Sequence, residues 1–459
     1  MKQSQDFTEG KILPSLVRFA LPVLLALLLQ TMYGAVDLLI VGQFGGALSD
    51  VYVSAVSTGS QVMQTVTMVI TGLSMGLTVF VGTKIGAGRR QEAGQIIGSG
   101  IWLFSIIAAV TTVVMVFAAP WMAKAMQAPE AAFDQTVSYI RICSAGAIFI
   151  VAYNLVGSVF RGIGDSKMPL FTVAIACALN IAGDLLLVAG LQMGASGAAA
   201  ATVFAQAVSV LLSLLIMRRK GLPFEIHKKD IRARGSYIRR ILQLGTPIAL
   251  QDLLVSLSFL VILAIVNSLG LTPSAGVGVA EKLCGFLMLV PSSYMQSMSA
   301  FVAQNIGAGK PERARKALVY GIASSLAVSA VMAYATFFHG EALAGIFARS
   351  EDVILAAADY LKAYAIDCLL TSFLFCFVGY FNGCGRTTFV MLQGIAGAFG
   401  VRLPVSWLMS RKPGVSLFQI GLATPASTTV QIILCFLYFA VTLRAEKRAA
   451  PDHSEGRIL

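Results

Sequence analysis

Five acidic residues lie inside long apolar runs of this 459-residue sequence, namely Asp37, Asp184, Asp252, Asp367 and Glu281. A carboxylate at the centre of a bilayer costs about 2.5–3.5 kcal/mol on insertion scales. Each acid therefore needs a compensating role in ion binding, or a place at a helix end from which it reaches water. Glu281 is followed by Lys282 and lies low in the apolar pattern of its segment, which favours a helix-end position.

Two of these acids belong to polar patterns at helical spacing. Asn180 and Asp184 are four residues apart and share one helix face. Asp37 ends a similar stripe on an earlier segment, and Thr202 is expected at a comparable depth on a later one. Two carboxylates in a poorly solvated site disfavour joint ionisation unless a cation is present. We therefore predict a cation-coupling site for H⁺ or Na⁺, with Na⁺ as the one metal ion that Asp37, Asn180 and Asp184 could hold; its residues are Asp37, Asn180, Asp184 and Thr202.

The composition defines the elements that must position these groups. Hydrophobic residues make up 57% of the chain, charged residues 12%, and the mean hydropathy is +0.80. Soluble domains have about 45–50% apolar and about 25% charged residues, so the chain is predicted to be an all-α polytopic membrane protein. Twelve apolar segments are long enough to cross a bilayer: 14–40, 51–80, 94–119, 133–158, 168–190, 196–217, 237–267, 273–303, 316–338, 353–379, 387–410 and 414–443.

The basic residues predict the orientation of these segments. With the N-terminus inside, 26 of the 34 Lys and Arg residues fall on the cytoplasmic side, and both termini are cytoplasmic. This bias also accounts for the net charge of +12, so no nucleic-acid partner is expected. The longest polar linker divides the chain into an N-terminal lobe 1–217, a cytoplasmic linker 218–236, a C-terminal lobe 237–443 and a cytoplasmic tail 444–459.

The two halves are sequence repeats. Val81–Ile101 and Val302–Ile322 agree at eight of 21 positions when shifted by 221 residues. Because six spans are even in number, both halves enter the membrane with the same polarity. The fold class predicted is therefore twelve transmembrane helices in two six-helix lobes, related by a pseudo-two-fold axis along the membrane normal with a cavity between them. Such a duplicated bundle is typical of a transporter.

A substrate cavity should be lined by polar and aromatic residues of the spans. The abundance of Met and Phe, 17 and 27 residues, suits an adaptable apolar cavity, although such residues also face lipid or pack in cores. The expected partners are a small-molecule substrate and membrane lipid. The candidate cavity residues are Gln30, Tyr33, Gln61, Gln64, Tyr139, Asn154, Gln251, Tyr294 and Asp367.

Several short motifs together resemble the multidrug and toxic compound extrusion (MATE) transporters over essentially the whole chain. They are Pro22 with Asp37-x-x-x-Val41-Gly42, Lys84–Gly88, Arg161–Pro169, Asn180-x-x-x-Asp184, Gly194–Ala199 and Gln304–Gly309. The resemblance implies export of drugs or metabolites, amphipathic organic cations in particular, in exchange for H⁺ or Na⁺ at Asp37, Asn180, Asp184 and Thr202. It further implies a monomer in the bacterial cytoplasmic membrane that needs no cofactor and is not an enzyme.

One departure from the family pattern concerns the second half. The NorM-like branch carries a glutamate eight residues after the proline of span 7, whereas this chain has Val255 there, with Gln251 and Asp252 nearby. The chain is thus more similar to the DinF-like and MepA-like bacterial branch. Asp367 either substitutes for the missing acid or is a structural hydrogen-bonding residue.

Two other functional classes remain as alternatives. A flippase for a lipid-linked oligosaccharide or peptidoglycan precursor has a related architecture, but should line its cavity with basic residues for a diphosphate. Only Arg141, Lys282 and Arg402 are the main candidates within the spans. A membrane enzyme lacks support, because no DDxxD or HExxH cluster occurs, and no Walker pattern points to ATP.

Overall fold

The computed structural model describes residues 6–220, 224 and 227–449, and all regular secondary structure within these ranges is helical. Eleven described helices are long and apolar enough to cross a membrane, and a bent pair makes a twelfth span when counted as one. The spans are α1 Ile12–Phe44, α2 Gly46–Gly86, α3 Arg90–Ala125, α4 Glu130–Ala145 with Ala147–Gly162, α5 Lys167–Gly190, α6 Gly194–Arg219, α7 Gly235–Asn267, α8 Leu271–Gly307, α9 Pro311–Phe338, α10 Glu351–Gly383, α11 Thr387–Ser410 and α12 Leu417–Glu446.

These helices confirm the predicted all-α membrane fold. Eleven of the predicted segments fall inside the corresponding observed span, and the predicted start of the twelfth at residue 414 is wrong by three residues. Gly414 has a φ of +69°, which belongs to a turn, and Ser416 caps the following helix through a reciprocal pair of hydrogen bonds with Gln419. The turn and the capping box therefore set the true start of α12 at Leu417.

The fourth span is not one straight helix. It bends by 50° between Ala145 and Ala147. A side chain at the intervening Gly146 would overlap Val203 of α6, so the bend coincides with a close approach of α6 to α4. A hydropathy pattern contains no information on this contact, which explains why a single continuous segment was predicted.

Two spans contain π-helical segments. In α5 the α-helix ends at Asp184 and continues as a π-helix over Leu185–Gly190. In α11, the repeat counterpart of α5, a π-helix covers Ala398–Arg402. Such segments frequently occur at functional sites because they change the direction of the side chains that follow. Both acquire significance below, since one follows Asp184 and the other ends at Arg402.

The chain forms two compact units, each with its own apolar core. Unit 1 contains residues Met1–Leu254, Met288–Ser325 and Val378–Met391, and unit 2 contains Val255–Leu287, Leu326–Phe377 and Leu392–Leu459. The core of unit 1 includes Val41, Leu77, Ile96, Phe104 and Ile140, and that of unit 2 includes Ile262, Val266, Tyr360, Tyr364 and Ile420.

The predicted division of the sequence into lobes 1–217 and 237–443 stays a prediction. The predicted linker 218–236 and the predicted tail 444–459 lie partly outside the described residues, which omit 221–223, 225–226 and 450–459.

Large apolar side chains cover the outer surface of the spans. Phe117 and Trp121 of α3 are 80% and 71% exposed, and Val331 of α9 is 70% exposed. A water-soluble monomer rarely displays contiguous apolar surface of this kind, whereas lipid tails solvate it without cost. The surface thus supports the membrane assignment independently of the helix lengths.

The repeat is visible in a reciprocal helix contact inside unit 1. A Cβ atom placed on Gly86 of α2 would overlap the backbone carbonyl of Gln304 in α8, and one placed on Gly307 would overlap the carbonyl of Thr83. Gln304 and Gly307 follow Thr83 and Gly86 by 221 residues each. The two Ile-Gly-Ala-Gly motifs therefore make the same contact from opposite sides, as a pseudo-two-fold axis requires.

A short segment before α1 is fastened to the start of α9. The backbone carbonyls of Phe7, Glu9 and Gly10 accept hydrogen bonds of 2.8, 2.6 and 2.8 Å from the guanidinium of Arg313. Lys310 donates a further bond of 3.0 Å to the carbonyl of Thr8. The Phe7 ring is fully buried, 5.0 Å from the rings of both Phe19 and Phe301. Residues 7–10 are therefore held by one aromatic anchor and a fan of charge-assisted hydrogen bonds.

Arg313→Ala is expected to release this segment without unfolding the helices. The substitution removes three hydrogen bonds to backbone carbonyls that have little other support, so tryptic cleavage after the exposed Lys11 should become faster in detergent solution. Lys316→Ala removes a neighbouring exposed basic residue that makes no hydrogen bond to residues 7–10, and serves as the control. Equal cleavage rates in parent and Arg313→Ala protein would show that the Phe7 anchor alone holds the segment.

Candidate cation and cavity site

Three helices of unit 1 bring the four predicted cation-site residues together. Asp37 lies near the end of α1, Asn180 and Asp184 lie in α5, and Thr202 lies in α6. The first three are buried, with exposed fractions of 4%, 2% and 0%. Gly183 permits this convergence, because a Cβ atom there would press against Ala201 of α6. The i, i+4 spacing in α5 therefore does present the amide and the carboxylate to the same neighbours.

A chain of weak hydrogen bonds connects three of these residues. Asn180 Nδ2 donates to Thr202 Oγ1 at 3.3 Å, and the Thr202 hydroxyl lies 3.3 Å from Asp37 Oδ2. The same hydroxyl lies 3.0 Å from the Ala198 carbonyl, so its one hydrogen can be donated to either acceptor. The carboxyl groups of Asp37 and Asp184 are near enough to share a hydrogen bond when one of them carries a proton.

The oxygen atoms of this site are largely unsatisfied. Asp37 Oδ1, Asn180 Oδ1 and both carboxylate oxygens of Asp184 are buried and have no hydrogen-bond partner within the described residues. No ion pair with a basic side chain reaches either carboxylate in the same part of the chain. Buried polar atoms without partners cost about 1–3 kcal/mol each, and more when charged. The site is therefore incomplete as it stands, and a proton or a small cation among these oxygens would complete it.

A cavity of about 370 Å³ adjoins the cation site. Asn180 and Thr202 belong to its wall, so the cavity and the ion site share two side chains. Gln30 Nε2 donates a hydrogen bond of 2.8 Å to the Tyr153 hydroxyl across it. Its lining is mostly uncharged and partly aromatic, and contains Gln30, Tyr33, Tyr153, Val173, Ala176, Asn180, Thr202, Ala205, Gln206 and Ser209.

Among the other predicted cavity residues of unit 1, two are buried beside this site without lining the cavity. Tyr139 of α4 is buried, interacts with Asp37 and Tyr33, and has its ring against Gly59. Asn154 accepts a hydrogen bond of 2.9 Å from Thr71 and donates one of 2.9 Å to the Ile150 carbonyl, which uses it to join α4 to α2.

The remaining predicted residues lie elsewhere. Gln61 and Gln64 are exposed on α2, Gln251 and Asp252 are half-buried in α7, and Tyr294 is buried in α8. Asp367 is buried in unit 2 and does not belong to the cavity described above. The transport roles of these residues stay predictions.

Sequence reasoning missed Tyr153, Gln206 and Ser209 as members of the cavity wall. A signal for two of them was present, because Thr202, Gln206 and Ser209 follow the i, i+4, i+7 spacing of one helix face. Tyr153 had no such signal, since its position depends on the bend in α4. The π-helical turn directly after Asp184 was equally invisible, because Leu185–Gly190 contains no proline that would mark an irregularity.

Paired carboxylates next to an uncharged cavity define a class of membrane protein. Buried acids within membrane spans mark ion pathways and coupling sites, and a cavity that shares walls with such a site can make ion and substrate binding depend on each other. Within the described residues, no three His, Cys, Asp or Glu side chains cluster as metal ligands would. The fold and the site thus define a transporter.

The sequence profile of the MatE family matches residues 22–186 and 247–408. The chain therefore belongs to the MatE family of membrane transporters and is not an enzyme. The resemblance predicted from the motifs is confirmed, and the two six-helix lobes of the predicted fold class are typical of this family.

Individual relatives agree with this assignment along nearly the full chain. The "Probable multidrug resistance protein YpnP" of Bacillus subtilis is 26% identical over 95% of this chain and 97% of its own length. The "FAD transporter" of Shewanella oneidensis is 24% identical over 95% and 96%. A solved structure described as the outward-facing conformation of a multidrug resistance MATE family transporter has a TM-score of 0.90 at 21% identity, covering 98% of this chain and 99% of that one.

Proposed function

We propose that this protein is a secondary active exporter that exchanges an amphipathic organic cation for H⁺ bound between Asp37 and Asp184. The observation that carries the proposal is the buried pair of carboxylates, without a basic partner and with unsatisfied oxygens, on the wall of an uncharged cavity. Binding of a cation to this pair changes the net charge beside the cavity by one unit. A cationic substrate and the coupling ion then compete electrostatically, which is the differential affinity that antiport requires.

The two carboxyl groups favour a proton over Na⁺ as the coupling ion. A single proton between Asp37 and Asp184 satisfies both groups, because one becomes a donor and the other remains an acceptor. Na⁺ would have to gather oxygens from Asp37, Asn180 and Asp184, and Asn180 is already oriented by its bond to Thr202. The coordination available to a metal ion is thus less complete than that available to a proton.

The cavity lining favours a cationic substrate with aromatic or apolar surface. Tyr33 and Tyr153 offer ring faces to a cation, and Gln30 and Gln206 offer neutral hydrogen-bonding groups. None of the ten lining residues is basic, so a diphosphate of the kind a precursor flippase carries has no counter-charge there. The same lack distinguishes this cavity from one suited to the polyanionic molecule in the name of the Shewanella relative.

The distribution of basic residues supports export rather than uptake. With both termini on the cytoplasmic side of a bacterial inner membrane, H⁺ enters from outside and the substrate leaves in exchange, as in the multidrug resistance proteins that the relatives are named for. A monomer contains the whole of the proposed site, because all four cation-site residues and the cavity belong to unit 1 of one chain.

Purified protein in liposomes tests this proposal. An inward pH gradient without Na⁺ is expected to drive ethidium out of loaded proteoliposomes against its concentration gradient. An inward Na⁺ gradient at equal pH on both sides should not. Efflux driven by Na⁺ alone would contradict the proton assignment while leaving the site in place, and the absence of any gradient-driven efflux of organic cations would contradict the function.

A further inference from the structure

Unit 2 contains a buried cationic side chain that the proposed coupling scheme does not use. Arg402 is 5% exposed and is the last residue of the π-helical segment in α11. Its Nη1 donates a hydrogen bond of 3.1 Å to Ser258 Oγ of α7, and its guanidinium carbon lies 4.3 Å from the centre of the Phe259 ring. Its Nε has no hydrogen-bond partner within the described residues.

The neutral contacts of Arg402 do not compensate its charge. An arginine remains protonated in proteins, so burial cannot be relieved by loss of the proton. One hydroxyl and one aromatic face stabilise a guanidinium only in part, and an uncompensated buried charge is strongly destabilising. The fold must therefore supply an anion within electrostatic range.

Asp367 of α10 is the most deeply buried acid in this cluster. It is 2% exposed and interacts electrostatically with Arg402 and through a hydrogen bond with Thr428 of α12. Its Oδ1 has no hydrogen-bond partner in the described part of the chain. Glu281 of α8 is half-buried and interacts with Tyr360, which also interacts with Arg402, so this second acid is linked to the guanidinium through a tyrosine.

The two buried acidic sites of the protein thus differ in one respect. The Asp37–Asp184 pair in unit 1 has no basic side chain near it, and needs an ion from solution. Asp367 in unit 2 has a guanidinium that the chain itself provides. A carboxylate that already has a permanent positive partner gains little from H⁺ or Na⁺.

We propose that Arg402 is a built-in counter-cation of Asp367, so that unit 2 binds no coupling ion and Arg402 is a positioning residue for that carboxylate. This inference rests on the proposed function only in assigning ion coupling to unit 1. The pairing of Arg402 with Asp367 stands on the burial and contacts of unit 2. It resolves the alternative left open by the sequence in favour of a structural role for Asp367.

A double-mutant cycle on thermal stability in detergent tests the pairing without a transport assay. Asp367→Asn and Arg402→Gln each leave one buried charge without its partner, and each is expected to lower the apparent Tm by roughly 5 °C or more. The double variant Asp367→Asn/Arg402→Gln contains neither charge and should recover most of this loss. Recovery is expected because neutral replacement of both members of a buried ion pair is often tolerated.

Added cations distinguish ion pairing from simple packing. In Arg402→Gln, Asp367 lacks its partner, so the Tm of this variant should rise on adding Na⁺ or lowering the pH more than that of the parent protein does. Replacement of Na⁺ by N-methylglucamine at equal ionic strength controls for screening. The double variant should show no such extra response.

Glu281→Gln is the matched control for the identity of the anion. Combined with Arg402→Gln, it should show additive losses, because Glu281 is not the partner that we assign. Rescue of Glu281→Gln and not of Asp367→Asn would overturn the assignment, and so would a double Asp367→Asn/Arg402→Gln variant no more stable than either single variant. These outcomes are read from Tm, so they remain distinguishable from a failure of the parent protein to export ethidium.

Discussion

Asp184→Asn is expected to abolish gradient-driven ethidium efflux while the protein remains folded. The amide has the volume of the carboxyl group but can neither release a proton nor neutralise a cation, so the differential affinity that drives exchange is lost and the rate should fall at least about tenfold. Asp184 is fully buried and receives no hydrogen bond from a described donor other than the group it shares with Asp37. Removing such a charge relieves desolvation, so the apparent Tm should stay the same or rise.

Efflux and Tm measured on the same preparations check this expectation. Asp134→Asn makes the same chemical change at an exposed position of α4 and should leave both quantities unaltered. Asp367→Asn should reduce efflux per folded protein less than Asp184→Asn does. The reverse order would place the coupling site in unit 2, and a large fall in Tm for Asp184→Asn would indicate that the carboxylate supports the fold rather than the exchange.

The membrane fold was predictable because bilayer physics leaves few alternatives. Lipid cannot hydrogen-bond the backbone, so an apolar run of about 20 residues must be helical, and hydropathy finds it. The failures lie where packing, not hydropathy, decides. Val203 against Gly146 bends α4, and Gly414 with Ser416 delays the start of α12.

The cation site was predictable to the extent that helical spacing determines it. Asn180 and Asp184 share a face in any α-helix, and burying two acids requires a reason. The cavity wall was only half predictable, because Gln30 and Tyr33 belong to the stripe of Asp37 whereas Tyr153 is placed by the bend in α4. The partner of Asp367 could not be inferred, since Arg402 lies 35 residues further along and its burial depends on the π-helical turn in α11.

Gly86→Ala and Gly307→Ala are expected to destabilise the protein by similar amounts. In each case the new methyl group would overlap a backbone carbonyl, of Gln304 or of Thr83, and a backbone carbonyl cannot rotate away as a flexible side chain does. The helices α2 and α8 must separate instead, at a cost of about 1–3 kcal/mol for overpacking. The apparent Tm in detergent measures the effect, and the equality of the two losses tests the pseudo-two-fold contact itself.

The double variant provides the sharper test of this contact. Once the first methyl group has forced α2 away from α8, the second finds part of its space already made, so the loss in Gly86→Ala/Gly307→Ala should be smaller than the sum of the single losses. Gly278→Ala is the matched control, because its helical Cβ would meet nothing within 4 Å and alanine favours a helix over glycine. Additive losses would mean that the two glycines act at separate contacts, whereas unequal single losses would mean that the repeats, though related in sequence, no longer pack as equivalents at this crossing.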